Sequence, residues 1–526
     1  MAARRIGIGS LRKLQRHRFP IAAAAVVDRA VLLPAQDRRA EVFDRLGNLA
    51  KNRQSLCYHY STSARIDDAD SFHPAFEDDA SGGGSAVTPD LERPNAELLF
   101  SRMSSGELLK TLLNLQVMAC GPLVDVGIKV LKSPVANHRF LKKPIEWCVK
   151  RTIYSHFCAG ENAAEASKTL QKLWELRLRG VLDSGLEDAA DNASCDENLQ
   201  QLLATIRETI ALPHGSVSYA CVKITAIAPL SLLEKLSLLL RWQHRNPEVE
   251  LPWKQQDGLP LFAPESPTYH AQTEPEPLTR EEESDLVLAL ERLSKLCECC
   301  ELQGLPLLVD AEYTSVQPAI DYITYTAAVK FNRGSQPLVH GTIQAYLKDS
   351  LSRLEMVVHE TTKRGIPFGV KLVRGAYLSR ETALAKVLGV PSPIHASIQD
   401  THRCYDRCAA FMLEQASRGH GSIVLATHNF ESGKAAAHKS EELGMRRGDL
   451  RVHFAQLKGM ADGLSLSLVQ AGFQVSKYLP FGPVPRVIQY LIRRAEENRG
   501  LLGNSRDDRR WISKELAARW FGLPRN

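Results

Sequence analysis

No run of eighteen predominantly apolar residues occurs in the 526-residue chain, so a helix spanning a bilayer is not expected and any membrane contact would be peripheral. Several catalytic fingerprints are missing as well. There is no G-x-G-x-x-G after a strand, no Walker loop, no H-E-x-x-H and no nucleophile elbow, which disfavours Rossmann binding of a dinucleotide, metalloprotease chemistry and α/β-hydrolase chemistry. Eleven cysteines, an odd number thinly spread, fit reduced thiols better than a disulfide framework. Cys297 and Cys300 form a C-x-x-C, but inside a helical pattern and with no second pair to complete a zinc site; no metal is expected. The net charge of +6 is modest for this length, so nucleic acid is not an expected partner.

Acidic residues are absent before Asp28, whereas six Arg or Lys fall in the first twenty positions. That composition is a mitochondrial-type presequence, assigned to residues 1–30. An acidic, Gly/Ser-rich linker follows to residue 94, and residues 95–150 show apolar spacing of the helical kind.

From residue 151 short apolar runs alternate with amphipathic stretches. Expected strands are Thr152–Cys158, Tyr219–Thr225, Pro306–Asp310, Leu338–Gln344, Phe368–Val373, Ser422–Thr427, Arg451–Ala455 and Phe473–Tyr478. Intervening helices such as "ENAAEASKTLQKLWELRLRG" end at a glycine in a capping place. Eight such units predict an α/β fold, a (β/α)8 barrel. Residues 245–283, rich in proline and glutamate, exceed an ordinary connector and are expected to be a tolerated surface excursion.

Polar residues close strand after strand: Lys223, Asp310, Gln344, Arg374, His428 and Gln456. Barrel active sites are built at that rim. Near the C-terminus, "QYLIRRAEENRG" puts Tyr490, Arg493, Arg494 and Glu497 on one helical stripe. A solvated face of i,i+4 pairs is the plainer interpretation; the sharper one is a pair of planar forks gripping a small carboxylate.

The segments "VDAEYTSVQPAID", "IQAYLKD", "VKLVRGAYLSRE", "THNFES", "AQLKGMAD" and "YLPFGPVPRVIQYLIRRAEENRG", in that order, resemble the proline dehydrogenase family in its eukaryotic mitochondrial, plant-like form. The resemblance covers about residues 151–502. It implies a distorted barrel whose last helix lies over the C-terminal rim, with FAD held there without a Rossmann domain. It implies that Arg493, Arg494 and Lys223 grip the proline carboxylate, that Glu497 orients the arginines, and that Asp310 lies near these cations. Tyr377, Tyr478, Tyr490 and Leu457 would line the proline ring, and Gln344, Lys371, Arg374, Gly375, Thr427 and His428 would touch FAD. Bacterial relatives carry the basic pair as arginine then lysine, where this chain has Lys371 and Arg374.

The activity so implied is hydride transfer from C5 of L-proline to flavin N5, giving 1-pyrroline-5-carboxylate, the first step of proline catabolism. Electrons would pass to a membrane quinone from a peripheral position on the matrix side of the inner membrane. A hydroxyproline dehydrogenase would share nearly everything, although Tyr478 would crowd a ring hydroxyl. Two further classes fit the same barrel: a lyase with Lys223 as a Schiff base, and a catalytically silent scaffold.

Overall fold

The computed structural model describes residues 100–522, with 101–102, 134–137, 139, 256, 446 and 501–503 excepted. The presequence and linker expected over 1–30 and 31–94 lie outside the described residues.

Eight parallel strands close into a barrel in sequence order: β1 Arg179–Asp183, β2 Val217–Val222, β3 Leu307–Val309, β4 Val339–Gln344, β5 Phe368–Val373, β6 Gly421–Ala426, β7 Val452–Leu457 and β8 Gln474–Pro480. β1 pairs with both β2 and β8, which completes the ring. Helices link successive strands and cover the outside, so each strand is buried on two faces and reads as a nearly continuous apolar run. Alternate residues fill the interior: Val181, Tyr219, Cys221, Leu308, Val424 and Ala455 pack together along the axis. The expected (β/α)8 barrel is the observed fold.

Seven of the eight expected strands lie within a few residues of those observed; the first does not. Thr152–Phe157 is helical, continuing the helix Lys142–Val149 through a π-helical turn, Lys150–Tyr154, and a short α-turn, Ser155–Phe157, with Cys158 extended after it. Its apolar residues, Tyr154 and Phe157, bury from a helix instead of a pleat. The true first strand was hidden by Gly180, expected as a helix cap. The helix Ala163–Glu175 ends earlier, Arg177 takes φ 61°, and Gly180 lies within β1. Glycine suits the position because Leu170 and Leu479 pack closely over it: a Cβ would stand 2.5 Å from Leu170 Cδ1 and 2.8 Å from Leu479 Cδ1, and both side chains would have to shift.

The helix Val484–Gly500 lies across the upper mouth, as the resemblance implied. Arg493, on this rim helix, reaches Glu187 just after β1, and its guanidinium centre lies 5.5 Å from the ring centre of Tyr377, just after β5. Those two strands stand on opposite sides of an eight-stranded ring. Three helices pack on the rim helix from outside: Ser105–Ala119, Gly121–Lys132 and Lys142–Val149. The first starts with a Ser104/Glu107 capping box and is bent by 82° from the second at Cys120. The C-terminal helix Asn504–Phe521 packs against Ser105–Ala119. Among the described residues no single helix is long and apolar enough to cross a membrane.

The 245–283 segment is not a surface excursion. Leu259, Leu261, Ala263 and Ala271 are buried, Ser266 Oγ donates to Asp349 Oδ2 at 2.6 Å, and Arg245 donates to the Ala271 carbonyl at 2.9 Å. These contacts make it a packed strap. All ten cysteines of the described residues are free, and burial in the helix Arg280–Leu302 pushes the Cys297 thiol up to about 12. Among the described residues no group of three or more His, Cys, Asp or Glu could hold a metal ion.

Candidate active site

Side-chain alternation along the strands decides what faces the upper mouth. Asp310 follows β3 and is the hub. Lys371 of β5 bonds one of its carboxylate oxygens; Tyr478 of β8 donates to the other at 2.8 Å. Lys223, just past β2, stands 3.4 Å from Asp310 Oδ2 and 3.5 Å from Asp183 Oδ2 at the end of β1. Cys221 Sγ lies 3.2 Å from Asp310 and 3.5 Å from the Tyr478 hydroxyl.

Burial alone would neutralise Asp310, but Lys371 and Lys223 outweigh it and hold the carboxyl well below the usual carboxylate range. Burial likewise works against the Lys223 ammonium, and Asp183 and Asp310 reverse the effect, raising it well above an ordinary lysine. The cluster is therefore ionised throughout.

A second tier hangs from the rim helix. Arg493 is held by Glu187 at 3.4 Å and faces Tyr377. Arg494 bonds Glu497 and lies 5.0 Å over the Tyr490 ring. Glu497 was expected to orient both arginines; its hydrogen bond goes to Arg494, while Glu187 takes Arg493. The Tyr490 hydroxyl is buried with no hydrogen-bond partner among the described residues. Burial raises the phenols of Tyr377, Tyr478 and Tyr490 above their ordinary value, so all three stay protonated.

A third group gathers where β4 to β7 end. Arg374 donates to His402 Nδ1 at 2.9 Å, to Thr427 Oγ1 at 2.7 Å and to Ser432 Oγ at 2.8 Å, and stacks 4.2 Å over Tyr405. Those bonds use three of the five guanidinium N–H groups. Gly375 takes φ 131°, and a Cβ there would meet the Tyr346 ring at 2.5 Å. Burial, with Arg494 nearby, lowers His428 to about 3; the neutral ring accepts from the Leu457 amide at 3.1 Å. Gln344 is buried and donates to the Glu312 carbonyl at 2.7 Å.

The fifteen residues to which the resemblance gave a role thus lie at this end of the barrel or on the helix above it; Gln456, also expected at the rim, is buried and accepts from Ser465 Oγ at 2.8 Å. Sequence reasoning missed Asp183, Glu187, Cys221, Glu312 and His402. The first two follow from the hidden β1; the short run "RGVLDSG" between a helix and a turn glycine was their signal. Glu312 lies within "VDAEYTS", where Asp310 drew the attention.

This is a barrel with a polar, charge-balanced mouth covered by a helix, and the C-terminal end of such a barrel is where its enzymes build their active sites. The chain belongs to the proline dehydrogenase family, whose model matches residues 166–507. It is 46% identical over 433 residues to "Proline dehydrogenase 2, mitochondrial" of Arabidopsis thaliana, covering 82% of this chain and 91% of the relative. Human "Hydroxyproline dehydrogenase" is 34% identical, covering 79% and 91%. Among solved structures, proline utilization A (PutA) from Bdellovibrio bacteriovorus shares the fold with a TM-score of 0.56 at 18% identity, covering 82% of this chain. The chain spans less than half of that longer protein, 43%.

Proposed function

We propose that the protein oxidises L-proline to 1-pyrroline-5-carboxylate with FAD as its resident cofactor, and that the electrons leave to a membrane quinone. The observation that carries this reading is the pair Arg493 and Arg494 on the helix across the mouth, each fixed by its own carboxylate, above the ionised Lys223–Asp310–Lys371 cluster. Two oriented guanidiniums over a charge-balanced floor suit one small carboxylate held in one pose.

The residues near β4 to β6 suit a flavin. Arg374 keeps two N–H groups beyond its three bonds, and His428 is neutral. Gln344, Lys371, Arg374, Gly375, Thr427 and His428 would hold it. When bound, FAD supplies the two-electron acceptor that no side chain provides.

The chain's own residues would place the substrate. Arg493, Arg494 and Lys223 bind the carboxylate, and Tyr377, Tyr490 and Leu457 enclose the ring. Tyr478, tethered to Asp310, would crowd a ring hydroxyl, which favours proline over hydroxyproline; the higher identity to the plant proline dehydrogenase agrees. Lys223 is a poor Schiff-base former, since two carboxylates keep it protonated. The basic N-terminus and the relatives' mitochondrial names support a mitochondrial location, with the matrix side of the inner membrane as the working site.

Proline's amine must lose its proton before C5 can be oxidised, so the rate should rise from neutral to alkaline pH. Glu312, which burial pushes up to about 8, titrates in the same window. The rise should therefore persist in Glu312→Gln. A flat profile would contradict the neutral-amine requirement, and a rise lost in that variant would assign it to Glu312 instead.

A further inference from the structure

The outer cover of the mouth carries a group of exposed apolar side chains. Leu113, Val117, Leu123, Val126 and Trp147 are each 50–60% exposed, and all lie on the three helices that back the rim helix. Val117 and Leu123 flank the bend at Cys120, so the exposed faces of two helices meet at an apolar elbow. A patch of this kind on the outside of a soluble-type fold marks a surface that something covers.

Charge identifies what covers it. Residues 105–151 contain eight Lys or Arg against three acids, and Glu107, one of the three, is committed to capping its own helix. Lys110, Lys129, Lys142 and Lys143 are exposed beside the apolar residues, and Arg151 lies 4.9 Å over the Trp147 ring. Exposed aliphatic side chains, an exposed tryptophan and a surplus of cations are together what an anionic membrane surface binds. The helices are not placed to span it. Leu108, Leu115, Met118 and Val124 are buried against the protein, which leaves one face of each helix for the lipid.

We infer that the helices Ser105–Ala119, Gly121–Lys132 and Lys142–Val149 form a docking surface that lies in the interface of an anionic bilayer, with the Val117/Leu123 elbow as the inserted edge. This deepens the quinone reading above and rests on it for its purpose: the surface backs the helix that closes the active site, so docking would set the barrel mouth next to the lipid that holds the electron acceptor.

The test is co-flotation of the FAD-loaded full chain with phosphatidylcholine vesicles, with and without phosphatidylglycerol. In parallel, L-proline oxidation is measured with a water-soluble dye and with a quinone embedded in the vesicles. Val117→Glu/Leu123→Glu should lose about ten-fold or more in vesicle partitioning and in quinone-linked rate, with the dye-linked rate unchanged. Lys142→Glu/Lys143→Glu, on a separate helix, should lose binding only to the anionic vesicles. Val387→Glu, at an 82% exposed position elsewhere, serves as the control. Wild-type protein that stays with neither vesicle, or elbow variants that float as well as the control, would overturn the proposal. So would elbow variants that alter only the molecular mass by light scattering, which would make this a face between two copies of the chain. Elbow-dependent flotation without dye-linked proline oxidation would keep the surface and discard the enzyme reading.

Discussion

At the entrance end of the strands the barrel interior holds Tyr219, His340, His453, Ser422 and Ser476; at the exit end it holds Lys223, Lys371, Asp310 and Tyr478. Both ends bury polar groups. At the entrance they are paired and neutral: His340 and His453 each lie 2.8 Å from a serine hydroxyl, burial lowers them to about 4 and about 3, and the Tyr219 ring meets both edge-on. At the exit Lys223, Lys371 and Asp310 are charged, Lys223 and Asp310 each with two oppositely charged partners, while Tyr478 is a neutral donor to Asp310. Desolvation is the same force in both places; only the exit end supplies enough opposite charge to defeat it. A polar residue in a strand is therefore a packing element at one end and a candidate site at the other, and the Lys223–Asp310–Lys371 ion cluster marks the second.

The comparison can be broken most forcefully at its hub. Asp310→Ala would leave two buried ammoniums without their shared anion, and equilibrium denaturation should show a loss of about 3–5 kcal/mol. A variant as stable as wild type would mean that the lysines are not held charged. Next in size, Arg493→Met or Arg494→Met should lower kcat/KM for L-proline roughly 10- to 150-fold, the equivalent of one charge-assisted hydrogen bond. Unchanged kinetics in both would remove the carboxylate clamp. Smallest is the entrance end, where Ser422→Ala deprives His340 of its partner. That should lower stability by about 1–3 kcal/mol while kcat/KM of the folded enzyme stays the same. A kinetic defect there would erase the distinction between the two ends.

Much of this was legible in the sequence, and for physical reasons. Strands buried on both faces read as apolar runs ended by a functional residue, which is why seven strands and the residues Lys223 and Asp310 could be placed in advance, whereas the role of Tyr478 came from the family resemblance. The stripe of Tyr490, Arg493, Arg494 and Glu497 followed from helical spacing. What escaped depended on contacts between distant segments. Gly180 looks like a helix cap until Leu170 and Leu479 are seen pressing on it, and with β1 hidden, Asp183 and Glu187 had no rim to belong to. The proline-rich segment after Arg245 has the composition of a surface loop, and only its burial of Leu259, Leu261 and Ala263 marks it as a strap. Which arginine each glutamate holds depends on where the rim helix settles over the barrel.

An absorbance spectrum of the purified chain, followed by L-proline added under anaerobic conditions, tests the central claim most directly. A flavin band that L-proline bleaches is the expected result. A flavin band that L-proline leaves untouched would contradict the substrate assignment, and a colourless protein that cannot take up added FAD would contradict the cofactor and the chemistry built on it.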